Sequence, residues 1–218
     1  MELAQLLKVI QFILGGTFVT IGVTLVALPL GFILGLVLAV IRVFGGKISS
    51  SIVSIYSAGM RGVPVIVLLF VLYFIIAGTI NISPFWAGSI SLGIVSSAYQ
   101  MEILRGAVLS VGSGQMMAAR AIGMTKIQAI QNIILPQALR LAIPPWSNEA
   151  SIVLKDSSLV YALGVPEILR RSQFMSASTY RPFIAFAIAA AIYFVLVFLM
   201  NQLLCMLERR LSIPGLQQ

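Results

Sequence analysis

The stretch MMAARAIGMTKIQAIQNIILPQALR (residues 116–140) interrupts an otherwise apolar chain with basic side chains, a lone Gly123 and Pro136. Ser113 or Gly114, just before it, can begin a short helix. Gly123 then supplies the positive φ that ends this helix and turns the chain. The first half of the stretch therefore predicts one short helix followed by a glycine turn.

The second half predicts another short helix, capped by Thr125. Gln128, three residues on, completes a capping box, and Pro136 is predicted to mark the end of the helix. The two helices form a rigid elbow over residues 113–136 that can transmit force to a soluble partner. From the residues, a re-entrant or interfacial amphipathic hairpin without a partner is an equally good interpretation. The second helix carries an apolar stripe of Ile127, Ile130 and Ile134.

The composition is that of a membrane protein. Of the 218 residues, 60% are hydrophobic and 9% are charged, whereas a soluble domain is roughly a quarter charged. The net charge of +8 comes from basic residues at the ends of apolar runs, as in membrane loops, and not from the basic, aromatic-lined face that binds nucleic acid. With no histidine and one cysteine, Cys205, the sequence predicts no disulfide framework, no metal site and no histidine triad.

The apolar runs predict an all-α, polytopic membrane protein with five transmembrane helices, because a span needs about 20 mostly apolar residues. They form a single transmembrane domain over residues 1–218. Basic residues divide nine to five in favour of the side that carries the elbow, which predicts a cytoplasmic elbow, an outside N-terminus and a cytoplasmic C-terminus. The predicted spans are residues 9–41, 55–77, 84–106, 138–164 and 182–207, with a polar external connection at 166–181.

The elbow resembles the EAA loop of ABC importer permeases, whose pattern is Glu-Ala-Ala, three residues, Gly, nine residues and an apolar-x-Leu-Pro ending. Met117 stands where the family has the glutamate, so an ion pair made by that glutamate is lost. RGVPVIVLLFVLYF (residues 61–74), AYQMEILRGAVLSV (98–111) and SNEASIVLKDSSLVYALGV (147–165) are similar to segments of the polar amino acid subfamily. The loop residues that fall on the pattern are Ala118, Ala119, Gly123, Ile133, Leu135 and Pro136.

The resemblance implies a permease subunit in a bacterial cell membrane, and not an enzyme. Two permease subunits, identical or different, would surround a central pathway, and Met117 with the matching loop residues would couple each elbow to one of two ATPase subunits. ATP and Mg²⁺ would bind to those ATPases, because this chain has no phosphate-cradling Gly-x-x-x-x-Gly-Lys-Ser/Thr loop. An extracytoplasmic binding protein would deliver the amino acid, membrane lipid would surround the helices, and no nucleic acid would be bound.

Arg61 and Glu102 are predicted to lie at the same membrane face. Counting about 20 residues in each direction from the polar turn GTINISP (residues 78–84) reaches both side chains. They form a structural ion pair, or Glu102 pairs with Arg105 one turn away, or the two line the pathway, where Arg61 would meet a substrate carboxylate.

The fourth predicted span carries polar groups that lipid cannot satisfy, so it must face protein or water. Pro144 and Pro145 are predicted to break its helix, with Glu149 following at the point where the helix opens towards a cavity. A cation of arginine, lysine or histidine would satisfy this carboxylate, and a permanent arginine partner is the alternative. The predicted substrate-binding residues are Arg61, Ser97, Gln100, Glu102, Asn148, Glu149 and Asp156.

The remaining carboxylates are given other roles. Asp156 adjoins Lys155 and is interpreted mainly as structural, while Glu2, Glu167 and Glu208 are placed near the surface or the termini. Cationic amino acids are therefore the predicted substrates. The alternatives are another small polar solute, such as phosphonate or methionine, and a membrane scaffold or channel subunit that does not pump.

Overall fold

The computed structural model describes residues 3–211 of the chain, and within them every regular element is helical. Residues 1–2 and 212–218 of the predicted domain, Glu2 among them, lie outside the described part. The helices are α1 Leu3–Leu14, α2 Thr17–Phe44, α3 Lys47–Gly62, α4 Val65–Thr79, α5 Pro84–Ser110, α6 Ser113–Ala121, α7 Lys126–Ala129, a π segment Ile130–Ile134, α8 Leu135–Asp156, a 3₁₀ segment Ser157–Leu163, α9 Ile168–Thr179 and α10 Pro182–Leu211.

Helices α2 and α5 pack against each other more extensively than any other described pair, and α8 covers α5. Glycines make the close approach possible. A Cβ atom at Gly35 would lie 2.9 Å from the backbone nitrogen of Met101, and one at Gly93 would lie 3.0 Å from the carbonyl oxygen of Ala27. Side chains at these two positions would push α2 and α5 apart.

Two helical stretches, Ala4–Phe44 and Pro182–Arg210, are long and apolar enough to cross a membrane. The bent pair α3 and α4 makes a third if it counts as one span. At about 1.5 Å per residue, α5 and α8 are long enough for a hydrocarbon core of about 30 Å. Both are more polar in composition than the two apolar stretches, and the five-span arrangement remains a prediction.

The second predicted span, residues 55–77, is not one straight helix. Helix α3 ends at Gly62, and α4 starts at Val65 after a bend of 114°. The residue before a proline is pushed out of the helical region, and Val63, which precedes Pro64, has an extended backbone with φ −113° and ψ 141°. Pro64 therefore breaks this segment, which sequence reasoning treated as continuous.

The elbow has the two-helix geometry that the sequence predicts. Gly123 has φ +89° between α6 and α7. Thr125 and Gln128 form the capping box, with the Gln128 N–H donating to Thr125 Oγ1 over 3.2 Å and the Thr125 N–H donating to Gln128 Oε1 over 2.8 Å. The location of the elbow on the cytoplasmic side remains a prediction.

Pro136 does not end the second elbow helix, so that prediction was wrong. Helix α7 passes through the π segment Ile130–Ile134 directly into α8, where Pro136 is the second residue. Pro136 has no N–H to donate to the preceding turn, and that turn is the π segment. The wider π turn, in which the Leu135 N–H donates to the Ile130 carbonyl, joins the elbow to the membrane helix without a break.

The predicted break at Pro144 and Pro145 is also absent. Both prolines lie inside α8, which stays helical to Asp156, although neither can donate to the carbonyl one turn back. The irregular backbone comes later, in the 3₁₀ segment Ser157–Leu163 and at Gly164, which has φ +86°.

Glu167 is fully buried, which corrects its predicted place near the surface. Its carboxylate caps α9 by accepting the N–H groups of Leu169 (2.8 Å) and Arg170 (2.6 Å), and it accepts the Tyr193 hydroxyl over 2.6 Å. Burial raises the pKa of Glu167 above its ordinary value, and these three hydrogen bonds offset part of that shift. The connection between α8 and α10 is thus fastened by a buried polar cluster.

Candidate functional site

A cavity of about 240 Å³ lies between α4, α5 and α8. Helices α5 and α8 each supply four residues at the same spacing of i, i+3, i+4 and i+7, so each helix presents one face to it. Helix α4 supplies Val65, its first residue. The lining residues of α5 are Leu92, Val95, Ser96 and Tyr99, and those of α8 are Glu149, Ile152, Val153 and Asp156.

Two carboxyl groups line the cavity wall. Glu149 and Asp156 are two turns apart on α8, and no basic side chain is among the lining residues that the structure describes. The Glu149 side chain is buried, with its residue 5% exposed. Carboxylates in such surroundings are costly unless a cation or water balances them. The two carboxyl groups can thus be satisfied by water or by a cationic group in the cavity.

Glu149 is held by one protein hydrogen bond. The Ser96 hydroxyl donates to its Oε1 over 3.0 Å, and within residues 3–211 its Oε2 accepts none and no arginine pairs with it. The alternative of a permanent arginine partner is thus not realised inside the described part of this chain. Asp156 likewise forms no ion pair with Lys155 there, but lines the cavity.

The break between α3 and α4 gives the cavity a second electrostatic feature. Val65 begins α4 after the extended Pro64, so the amino end of a half-helix meets the cavity. The first N–H groups of a helix lack intrahelical acceptors, and this end carries roughly half a positive charge. A discontinuous membrane helix oriented this way suits an anionic group.

Several predicted substrate-binding residues do not line this cavity. Ser97 is buried, where its hydroxyl donates to the Ile94 carbonyl over 2.7 Å and bonds the Tyr56 hydroxyl over 2.7 Å. Gln100 is completely buried behind the wall, and Asn148 is exposed beside Glu149. Their role in substrate binding stays a prediction.

Ser96 and Tyr99 line the cavity but were missed from the sequence. The signal was present in the spacing, because residues 92, 95, 96 and 99 fall on the same face of α5. Small and polar residues surround them on every side of that helix, so no single face stood out.

Arg61 and Glu102 do lie together, in a separate cluster. Arg61 Nη2 is 3.6 Å from Glu102 Oε1, and Arg105 Nε is 2.7 Å from Glu102 Oε2. The Ser57 hydroxyl donates to Glu102 Oε1 over 3.1 Å and accepts from Arg61 Nε over 3.2 Å. Both predicted ion pairs are therefore present, and they satisfy Glu102 with two cations.

The elbow presents exposed apolar side chains. Met117, Ile122 and Ile127 are each about two-thirds exposed or more, at 65%, 76% and 65%. Ala119 is buried, and of the predicted isoleucine stripe only Ile130 and Ile134 are buried. The exposed residues form an apolar surface on the elbow that the helices of this chain do not cover. Among the described residues, no cluster of three or more metal-binding side chains occurs.

The sequence has relatives along nearly its whole length. Residues 27–213 match the family described as binding-protein-dependent transport system inner membrane component. The glutamine transport system permease protein GlnP of Escherichia coli (strain K12) is 33% identical over 207 residues, with 94% of each chain covered. The octopine transport system permease protein OccQ of Rhizobium radiobacter is 33% identical over 218 residues, which cover 94% of this chain and 92% of OccQ.

Solved structures agree with these relatives. A chain from the crystal structure of an amino acid ABC transporter with histidines has a TM-score of 0.85 and 34% identity, covering 96% of this chain and 99% of that one. A chain of the MetNI methionine ABC transporter, in an inward-facing conformation, shares the fold with a TM-score of 0.84 at 19% identity over 93% and 97% of the two chains. The protein therefore belongs to the family of binding-protein-dependent transport system inner membrane components, as an ABC importer permease subunit of the polar amino acid type that is not itself an enzyme.

Proposed function

We propose that this permease carries cationic amino acids, namely arginine, lysine or histidine, into the bacterial cytoplasm. The observation that carries the proposal is the cavity wall with Glu149 and Asp156 and no basic side chain among its described residues. Glutamine, the solute named for the relative GlnP, brings no net charge to balance two carboxylates. The structure of the relative described with histidines is consistent with a cationic ligand.

The cavity supports one orientation of the substrate. Its side-chain cation would lie against Glu149 and Asp156, and its α-carboxylate would lie at the amino end of α4, near Val65. Tyr99 also lines the cavity, and a cation over its ring would gain about 0.5–2 kcal/mol. The broken span is thus useful to the site, because a continuous helix would present no free N–H groups there.

We further propose that the chain works with two ABC ATPase subunits, a second permease subunit and an extracytoplasmic binding protein. The exposed apolar residues of the elbow would dock on an ATPase, which binds ATP and Mg²⁺. Movement of the elbow would pass through the π segment into α8, which carries both carboxylates of the cavity. In the proposed arrangement the N-terminus would lie outside, the C-terminus in the cytoplasm and five spans in the membrane.

The substrate is tested by reconstituting the permease with its ATPase and binding protein in proteoliposomes. We expect arginine, lysine or histidine to be taken up, and a hundredfold excess of unlabelled glutamine to compete weakly. Strong glutamine uptake with no response to the cationic amino acids would reject the cationic assignment in favour of the second candidate, a glutamine permease, which the relative GlnP favours.

The coupling role of the elbow is tested by Gly123→Val. A β-branched residue at φ +89° is strained by about 1–3 kcal/mol, so substrate-stimulated ATPase activity should fall while membrane insertion persists. Gly112→Val is the matched control, because Gly112 has φ −49° and open space around its Cβ position. Full stimulation in a folded Gly123→Val protein would contradict the role.

A further inference from the structure

Ser96 behaves differently from the other serines of α5. Ser89, Ser91 and Ser97 each donate to a backbone carbonyl of their own helix, over 2.6, 2.8 and 2.7 Å. This is the ordinary hydrogen bond of a helical serine. Ser96 instead donates across the helix interface to Glu149. A neighbouring group must therefore keep the Ser96 hydroxyl from donating to the backbone of its own helix.

Gln100 lies one turn after Ser96 and is completely buried. Its Nε2 donates to Ser96 Oγ over 3.0 Å and to the Leu28 carbonyl over 3.2 Å. Gly31 leaves the space that this amide needs, since a Cβ atom there would lie 2.5 Å from Nε2. Because Ser96 Oγ accepts from Gln100, its one hydrogen is directed to Glu149.

Trp146 fixes the amide of Gln100 from the other side. Its Nε1 donates to Gln100 Oε1 over 2.7 Å, and an indole N–H can only donate. The oxygen and nitrogen of the amide are therefore assigned by their partners. The Trp146 ring is itself held edge to face against Phe32, with centroids 5.7 Å apart. The hydrogen bonds from Trp146 to Gln100, from Gln100 to Ser96 and from Ser96 to Glu149 therefore form one series that ends at Glu149.

We propose that Trp146 and Gln100 are positioning residues that set the preference of the cavity for a cationic substrate. They act through Ser96, which holds Glu149 by Oε1 as a hydrogen-bond acceptor and leaves Oε2 for the substrate. This role rests on the proposed function, and it differs from the direct substrate contact that the sequence predicts for Gln100. Trp146 needs no contact with the substrate.

This hydrogen-bond relay, from Trp146 through Gln100 and Ser96 to Glu149, is tested first without substrate, by thermal unfolding of the purified permease–ATPase complex. Gln100→Met lets Ser96 turn back to its own helix, which leaves the Glu149 charge unsatisfied. The changes in melting temperature caused by Gln100→Met and Glu149→Gln should therefore not add up in the double variant, with a difference of about 2–4 °C. They should become additive when Ser96 is replaced by alanine. Additive shifts in both backgrounds would overturn the relay.

If Gln100→Met does not fold, Trp146→Phe can replace it in the same double-mutant experiment. This substitution is milder because the aromatic contact with Phe32 is kept. Trp86→Phe is the matched control, since Trp86 is half exposed and lies outside the relay. The proposal would also be overturned if Trp86→Phe were as strongly coupled to Glu149→Gln in melting temperature as Trp146→Phe is.

Transport then separates the relay from the substrate assignment. Trp146→Phe and Ser96→Ala should each lower the preference for arginine over glutamine about tenfold, the worth of one hydrogen bond to a charged group, and the double variant should lose no more. Ser96→Thr, which keeps a hydroxyl, should restore most of the preference. A different result is also informative, namely that the melting temperatures are coupled while the preference for arginine over glutamine stays unchanged in every variant, including Glu149→Gln. That result would reject the cationic substrate and the specificity role while leaving the hydrogen-bond relay in place.

Discussion

Glu102 on α5 and Glu149 on α8 are both carboxylates of long interior helices, but their electrostatic surroundings are opposite. Glu102 lies within reach of the guanidinium groups of Arg61 and Arg105 and accepts a serine hydroxyl. Glu149 accepts one serine hydroxyl, and Asp156 lines the same cavity. The first carboxylate is neutralised by its own chain, whereas the second lacks a cation in the described part of the chain.

The difference shows why charge in an apolar sequence is a poor guide to its role. A carboxylate with two arginine neighbours gains nothing from a ligand cation, because its charge is already balanced. A buried carboxylate without a cation nearby gains from one. Loss of the carboxylate charge should therefore lower arginine transport strongly at Glu149 and little at Glu102.

The largest expected effect comes from Glu149→Gln. Truncating one partner of a buried charge pair costs about 2–5 kcal/mol, and each 1.4 kcal/mol is about tenfold in affinity, so arginine uptake should weaken at least about tenfold. Glutamine uptake, if present, should change much less. The measurement is the concentration dependence of uptake in proteoliposomes.

Glu102→Gln is the control for that comparison, because it removes a carboxylate of the same size from a neutralised cluster. An equal loss for arginine and glutamine in Glu149→Gln, or no loss for arginine, would remove the contrast between the two sites and leave a polar amino acid importer without a charge preference.

Asp156→Asn should have a smaller effect in the same direction. Asp156 lines the cavity at its other end, two turns from Glu149, and is less buried. We expect arginine affinity, measured by competition, to weaken about three- to tenfold. Lys155→Gln, a change in the exposed neighbour of Asp156, tests the structural interpretation of Asp156. If it lowers arginine affinity as much as Asp156→Asn does, the lysine–aspartate pair matters and the cavity charge does not.

The smallest effect is expected from Arg61→Gln. The Arg61 side chain is 41% exposed in its pair with Glu102, and such pairs contribute about 0–1 kcal/mol. The melting temperature should fall slightly, and less at high salt, with transport nearly unchanged. A clear loss of transport with unchanged stability would show instead that Arg61 lines the pathway.

Local chemistry allowed much of the fold to be predicted from the sequence. The long apolar run of α10, the glycine turn at Gly123 and the capping box of Thr125 depend on residues near each other in the chain, and all three are confirmed. The prolines were harder. Pro64 breaks a helix, while Pro144 and Pro145 do not, because the outcome depends on packing by distant segments.

The candidate site was predictable only in its charges. Glu149 and Asp156 stood out because carboxylates are rare in apolar runs. Ser96 did not, since α5 holds several serines and only the structure shows which one faces Glu149. The partner of Glu102 was predictable because Arg105 is one turn away, whereas the absence of a partner for Glu149 within the described residues is a property of the three-dimensional arrangement.

The π segment Ile130–Ile134 has a consequence for how this permease can change by insertion and deletion. A π turn holds about one residue more than an α turn, and one residue corresponds to about 100° of rotation and 1.5 Å of length. Deleting a single residue there would let the segment close as an ordinary α turn and leave the elbow at nearly its present angle, whereas the same deletion within α8 would rotate the elbow by about 100°. The π segment is therefore a place between the elbow and α8 where the chain can lose one residue without turning the elbow, whatever the side chains there.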